Sequence, residues 1–385
     1  MIQEIQKRYL AQFDQQPILV RAPGRINLIG EHTDYNNGLV MPAAIDKALY
    51  FAIGKAEGGK SVQVQSVNYD EVIVLGNGVD TAIPSWARYL QAILEILKER
   101  GMEVAGINCV FGGDIPIGAG LSSSAALCCG FTFGIANLLG LPISKKEVAL
   151  ISQEAEHRIG LNCGLMDQYA VLFGKKDHVI CLDCGNLDFD YFPLQLEQHS
   201  LVLIDSKIEH QLEGSPYNDR RYSCERVVKV VAAKYSQVRT LADIKMDNLV
   251  AFKKVLDPID FQRARYVIEE NNRVYQMKLA LSQGKLKEAG AILFRGHEGL
   301  SKEFNVSLPE IDLLVELAKQ EQTILGARMM GGGFGGCTIN LIENENKEAV
   351  LDRIQAQYFK ATGIKSACYN VLIGDGLEVE NGISK

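Results

Sequence analysis

Hydrophobic spacing changes period several times along the chain and divides it into strand-like and helix-like stretches. ALYFAIG (48–54) and GINCVFGGD (106–114) are short apolar runs of strand length, and SVQVQSV (61–67) and HVICLDC (178–184) alternate with period two. SAALCCGFTFGIANLL (124–139) is apolar over the length of a buried helix, and KKEVALISQEAEHRIG (145–160) has a helical repeat. From about residue 220 to 320 helical patterns dominate, as in RYVIEENNRVYQMKLALSQGKLKEAGAILF (265–294), before strand-like CTINLIEN (337–344) and SACYNVLIG (366–374). The last of these could pack onto either half. LVLID (201–205) gives way to the polar SKIEHQLEGSPYNDRR, so a boundary is expected in the loop over residues 205–217, dividing 1–205 from 206–385. No internal repeat or low-complexity tract interrupts this pattern.

At 385 residues, two domains sharing an interface are the first expectation, with a single large one behind it. The 47% apolar and 23% charged composition is that of a folded globular chain, and a net charge of −7 argues against a broad nucleic-acid-binding surface. Nine cysteines without an apolar leader at MIQEIQKRYLAQF point to reduced thiols and a cytoplasmic protein. His178, Cys181 and Cys184 lack a second ligand pair at finger-like spacing, which favours a strand with buried cysteines over zinc. The uncharged stretch 115–144 is long enough to span a bilayer, but its Gly/Ser-rich start, Asn137 and Pro142 favour a buried helix.

Two segments compete as phosphate sites. GKAEGGKS (54–61) fits G-x-x-x-x-G-K-[ST], yet the helix that this motif requires is replaced by SVQVQSV, so the segment predicts two strands joined by a Gly58–Gly59 turn. PIGAGLSSSAA (116–126) lies between a strand and a helix. Gly118 and Gly120 let backbone approach a ligand, and Ser122, Ser123 and Ser124 offer hydroxyls beside free helix-start amides; simple capping is the bland alternative. A dinucleotide fold does not suit, because Ser123 replaces the third glycine and the first acid downstream is Glu147. Glu154 and Glu156 sit on one helix, so only one can face inward. Asp167, in LNCGLMDQYAVLFG, could cap its helix or, with a cationic neighbour such as Arg25, do chemistry. The five glycines between Gly331 and Gly336, in GARMMGGGFGGC, suggest backbone pressed against a ligand or another backbone.

RAPGRINLIGEHTDYNNG, PIGAGLSSSAA and GARMMGGGFGGC resemble, in order and spacing, the motifs of the GHMP small-molecule kinases. EHTDYNNG, CGLMDQ, GSPYNDRR and EFNVSLPEID are similar to the galactokinases among them. The resemblance implies an α+β, two-domain GHMP-kinase-like fold, with an N-terminal ribosomal-S5-type domain, a C-terminal ferredoxin-like domain and the active site in the interdomain cleft. It implies ATP as co-substrate on Gly118, Ala119, Gly120, Leu121, Ser122, Ser123 and Ser124, and Mg²⁺ on Ser124 and Glu156. Galactose would meet Glu31 and His32 at its 6-hydroxyl end and Asp34 and Tyr217 at its 3- and 4-hydroxyls, with Thr33 in the same loop and the backbone at Gly164. Asp167 would act as base or orienting acceptor for the anomeric hydroxyl, and Arg25 would stabilise the transition state. Two departures, SAALC where many relatives carry SASLE and a stretch before Asp167 one residue short, touch none of these residues. A kinase for another sugar such as N-acetylgalactosamine, and a non-catalytic galactose/ATP sensor, remain as alternatives. No nucleic-acid or membrane partner is expected; the chain does not specify an oligomeric state, and a monomer would serve.

Overall fold

A computed structural model describes residues 1–13, 15–56, 58, 61–76, 83–116, 118–208 and 216–380. Its first sheet joins β1 (Ile18–Asn27), β3 (Pro42–Lys55), β4 (Val62–Ser66), β5 (Glu71–Leu75), β6 (Ile107–Gly113) and β13 (Glu378–Glu380), in the order β13-β1-β3-β6-β4-β5. A small antiparallel sheet is formed by β2 (Leu39–Val40), β7 (His178–Asp183) and β8 (Phe189–Pro193). The remaining strands β9 (His199–Asp205), β10 (Ile324–Met329), β11 (Cys337–Glu343) and β12 (Ala367–Val371) pair antiparallel in the order β10-β11-β9-β12. Helices α1 (Ile2–Leu10), α2 (Ser85–Glu99), α3 (Ser123–Leu139), α4 (Lys145–Arg158) and α5 (Met166–Phe173) precede β7. Five more, α6 (Pro216–Ala232), α7 (Met246–Ala251), α8 (Pro258–Ser282), α9 (Leu286–Lys302) and α10 (Pro309–Gln320), lie between β9 and β10, and α11 (Lys347–Thr362) lies between β11 and β12.

The expected α+β class is present, and the β9–β12 sheet has the strand order of a ferredoxin-like unit. Two details differ from the reading of the chain. β3 and β4 are both strands, but they do not form a hairpin: β6 is hydrogen-bonded to each of them, antiparallel to β3 and parallel to β4. Neighbouring strand patterns cannot reveal this insertion, because β6 comes from some 40 residues later; residues 57, 59 and 60 of the connection lie outside the described residues. β9, on the N-terminal side of the boundary expected after residue 205, is an inner strand of the second sheet. That division therefore separates a strand from the sheet to which it belongs.

The uncharged stretch becomes α3, buried along most of its length against β1 and β3. Gly130 lets the helix approach closely, since a Cβ there would overlap the Phe51 ring. No described helix is long and apolar enough to cross a membrane. The main hydrophobic core contains Phe51 and Ile53 of β3, Met277 of α8, Ile292 of α9 and Ile339 of β11, so the two halves share it. The chain end serves both halves: β12 pairs with β9, Ile373 bridges Ile45, and β13 pairs with β1.

α9 meets β10 through two glycines. A Cβ on Gly290 would overlap the carbonyl of Leu325, and one on Gly326 would overlap the backbone of Gly290. Ala is ordinarily the better helix former by about 1 kcal/mol. Here Gly290→Ala should instead destabilise by about 1–3 kcal/mol through overpacking, measured by urea unfolding; a gain in stability would contradict the close approach.

Candidate active site

β1 carries Arg25 to the centre of the molecule. The β1–β3 register shifts between Pro23 and Arg25, and beside this irregularity the Arg25 amide donates to the Leu121 carbonyl at 3.1 Å, setting the strand against the start of α3. The guanidinium is 4% exposed and forks onto Asp167, with Nε to Oδ1 at 2.7 Å and Nη2 to Oδ2 at 2.9 Å. Its Nη1 donates to the Gly120 carbonyl at 2.5 Å. Burial alone would pull this guanidinium down, but the charge and hydrogen bonds of Asp167, with Glu31 and Asp34 behind, hold it above its ordinary value. Asp167 stands in the first turn of α5, where the helix dipole favours a negative charge, and it also accepts from the Ser122 hydroxyl.

Ser122 therefore does not cap α3, although it is the residue before the helix. It is left-handed (φ 56°, ψ 50°), and α3 begins without a side-chain cap. The amides of that first turn stay available to an anion. Gly118 (φ 75°) and Gly120 (φ 73°) hold conformations that a side chain disfavours, which explains both glycines. Ser124 hydrogen-bonds the buried carboxyl of Glu156, which also accepts from Gln168 and, at 3.4 Å, from Cys163. Burial, with the Asp167 charge adding to it, raises Glu156 to about 7 against these hydrogen bonds. Glu154 points away and pairs with Arg100 and Arg158 at the surface.

The opposite side of the cavity comes from the loop after β1. Glu31 accepts from Arg328 at 3.0 Å and from the Gly331 amide at 2.8 Å. His32 is left-handed (φ 65°), with Nδ1 2.9 Å from the Tyr35 hydroxyl and its ring packed between Tyr217 and Phe304. Asp34 is buried beside Gly164, where a Cβ would overlap its carboxylate. Burial first, then the charges of Asp167 and Glu31, raise Asp34 to about 7. The Tyr217 phenol is pushed well above its ordinary value by burial and Asp34, so it is neutral.

These groups enclose a cavity of about 560 Å³ whose walls include Arg25, Glu31, His32, Asp34, Glu156, Asp167, Tyr217, Gly118, Gly120, Leu121 and all three serines. Three residues named from the chain stand outside that wall. Thr33 spends its hydroxyl on the Gly30 and Leu39 carbonyls (2.8 and 2.6 Å), so it holds the loop instead of facing a ligand. Ala119 is fully buried, and Gly164 lies behind Asp34. The glycine-rich turn contributes Gly331 and Gly332 to the wall, and Gly331 and Gly336 pack against Gly120 and Ala119. Sequence reasoning passed over Arg328, Gln168, Ser85 and Tyr89. For Arg328 a signal existed, since it is a lone charge in an otherwise apolar strand before the glycines.

A galactokinase galactose-binding signature matches residues 7–55, followed by the GHMP kinases N terminal domain over 88–175 and the GHMP kinases C terminal over 277–360. The galactokinase of Thermosipho africanus is 37% identical over 93% of this chain and 98% of its own length, and that of Thermotoga maritima is 36% identical over 93% and 99%. The chain belongs to the galactokinase family. Lactococcus lactis galactokinase, solved with galactose, superposes with a TM-score of 0.93 at 30% identity, covering 98% of this chain and 99% of that one. A mevalonate kinase shares the fold alone, with a TM-score of 0.65 at 17% identity over 93% of this chain and 99% of its own. The galactokinase signature covers the whole of the Arg25–Asp34 segment.

Asp34 makes the stability of this site pH-dependent. Well below pH 4 the carboxyl is protonated in both the folded and the unfolded state, so burial costs little. As pH rises through about 7 the folded state must give up that proton against burial, and stability falls. Asp34→Asn should exceed the unaltered chain by on the order of 1–3 kcal/mol above pH 7, with the gap narrowing as pH falls and closing below pH 4 in urea melts. A gap independent of pH would contradict a raised Asp34.

Proposed function

We propose that this cavity transfers the terminal phosphoryl group of ATP to the anomeric hydroxyl of α-D-galactose. ATP-dependent phosphorylation of galactose, giving galactose 1-phosphate and ADP, is the activity of the family to which the chain belongs. The observation that carries the assignment of roles is the Arg25–Asp167 fork, next to a helix start with uncapped amides.

Asp167 is the acceptor that orients the anomeric hydroxyl and takes its proton as the new O–P bond forms. Because Arg25 and Ser122 occupy its oxygens as well, its first contribution is alignment for in-line attack. Arg25, buried and fixed, lies where negative charge develops on the moving group. The amides and hydroxyls of Gly118, Gly120 and the three serines cradle the phosphates, with Ala119 and Leu121 supplying backbone.

Among the described residues the wall carries four carboxylates, Glu31, Asp34, Glu156 and Asp167, against the one guanidinium of Arg25. A polyanion entering it needs a cation. Ser124 and Glu156 offer the hard oxygen donors that Mg²⁺ takes. No cluster of three or more His, Cys, Asp or Glu among the described residues would hold a metal alone, which suits an ion completed by phosphate oxygens and water. Magnesium on Ser124 and Glu156 would supply charge neutralisation between the phosphates. Glu31 and His32 take the 6-hydroxyl end of the sugar, and Asp34 with neutral Tyr217 takes the 3- and 4-hydroxyls. An epimer would leave a buried carboxylate unpaired, at about 1–3 kcal/mol per group.

The galactokinase names of the relatives favour galactose over N-acetylgalactosamine, and the assembled Arg25–Asp167–Ser122 cluster favours catalysis over sensing. The domain reading becomes an N-terminal unit over 1–205 that lends β9 to a C-terminal unit over 206–385. The cysteines among the described residues are free thiols, which supports a reducing cytoplasm.

An ADP-release assay should show turnover with galactose and Mg²⁺, and little with glucose, N-acetylgalactosamine or mevalonate. Asp167→Asn should fold and lose at least about 100-fold in turnover; near-full activity would reject its role. Glu156→Gln should raise the Mg²⁺ concentration needed at fixed ATP, and an unchanged titration would remove Glu156 from the metal.

A further inference from the structure

We infer that Arg328, outside the cavity wall, is a positioning residue for sugar recognition that aims the carboxylate of Glu31. The inference rests on the reading of Glu31 as a sugar ligand. Arg328 sits on β10 and is fully buried, which is costly for a guanidinium unless its donors are met. Its Nε donates to Leu28 O at 2.9 Å, Nη1 to Met329 O at 2.8 Å, and Nη2 to Asn27 O at 2.5 Å and to Glu31 Oε1 at 3.0 Å. The Gly331 amide donates to the same Oε1. Among the described residues, hydrogen bonds to this carboxylate fall on Oε1 alone. With that oxygen pinned from two sides, Oε2 is left to accept from a sugar hydroxyl.

Beyond Leu28 the backbone of the loop is held by other groups. Glu270 of α8, fully buried, accepts from the Gly30 and Glu31 amides at 2.9 and 3.3 Å and from Arg273 Nε at 2.6 Å. The Tyr266 hydroxyl donates to the Glu31 carbonyl at 3.1 Å. The loop path is thus fixed from α8 and the aim of the carboxylate from β10. Altering Arg328 changes the aim and releases the Asn27 and Leu28 carbonyls, while the α8 anchors on Gly30 and Glu31 remain.

The test compares binding of galactose and 6-deoxygalactose by calorimetry in the unaltered chain, Glu31→Gln, Arg328→Lys and the double variant. The unaltered chain should prefer galactose by about 10-fold, the scale of one buried hydrogen bond to a charged group. Glu31→Gln and Arg328→Lys should each bring that preference close to parity, and the double variant should lose nothing further, because both act through one carboxylate. A merely structural role would weaken both sugars alike. If Glu31→Gln keeps the preference, the reading of Glu31 itself fails. If it loses the preference while Arg328→Lys keeps it, or the double variant loses more, the positioning role is overturned. Arg328→Gln replaces the lysine variant if that does not melt cooperatively, and failure of both to fold assigns Arg328 to stability alone and equally overturns it.

Discussion

A nearly buried guanidinium and a carboxylate from 142 positions along the chain hold the active site together. The Asp167 carboxylate offsets the burial of Arg25, since leaving a buried charge without its partner costs several kcal/mol. Their fork draws the end of β1, the loop before α3 and the first turn of α5 to one point. The Gly120 carbonyl on Nη1 and the Ser122 hydroxyl on Asp167 add the serine-rich loop before α3 to the same knot. One interaction thereby joins the side of the cavity proposed to read the sugar to the side proposed to seat the nucleotide.

Around it the cavity carries more negative charge than it can comfortably hold. Asp34 and Glu156 are both lifted to about 7 by burial, with the Asp167 charge contributing to each. Such strain is typical of functional sites, where ligands supply the missing partners. Sugar hydroxyls and a divalent cation are the partners that this arrangement suits. The surrounding scaffold carries the strain through a core common to both halves and through a chain end that pairs with both large sheets.

Much of this was legible in the chain because the chemistry sits in short contiguous motifs. The Arg25–Asp34 loop, the triple serine and the Asp167 turn could each be read locally, and the helical period put Glu154 and Glu156 on different sides. What was hidden depends on contacts between distant segments. β6 separates β3 from β4, and β9 joins the second sheet, because strand partners are chosen by burial and crossover geometry that no local pattern records. Thr33 looked like a ligand from its position in the motif, yet its hydroxyl is used within the loop. Glu270 was invisible as a site residue, since its importance lies in what it holds, and Arg328 left only the signal of a lone charge in an apolar strand.

The central claim is that Arg25 and Asp167 act as one catalytic unit, and a double-mutant cycle on turnover tests it most directly. Arg25→Gln and Asp167→Asn, measured singly and together at saturating galactose and MgATP, should be strongly non-additive, with the double variant within about 10-fold of the slower single. Losses that multiply in the double variant would show two independent contributions and contradict the account.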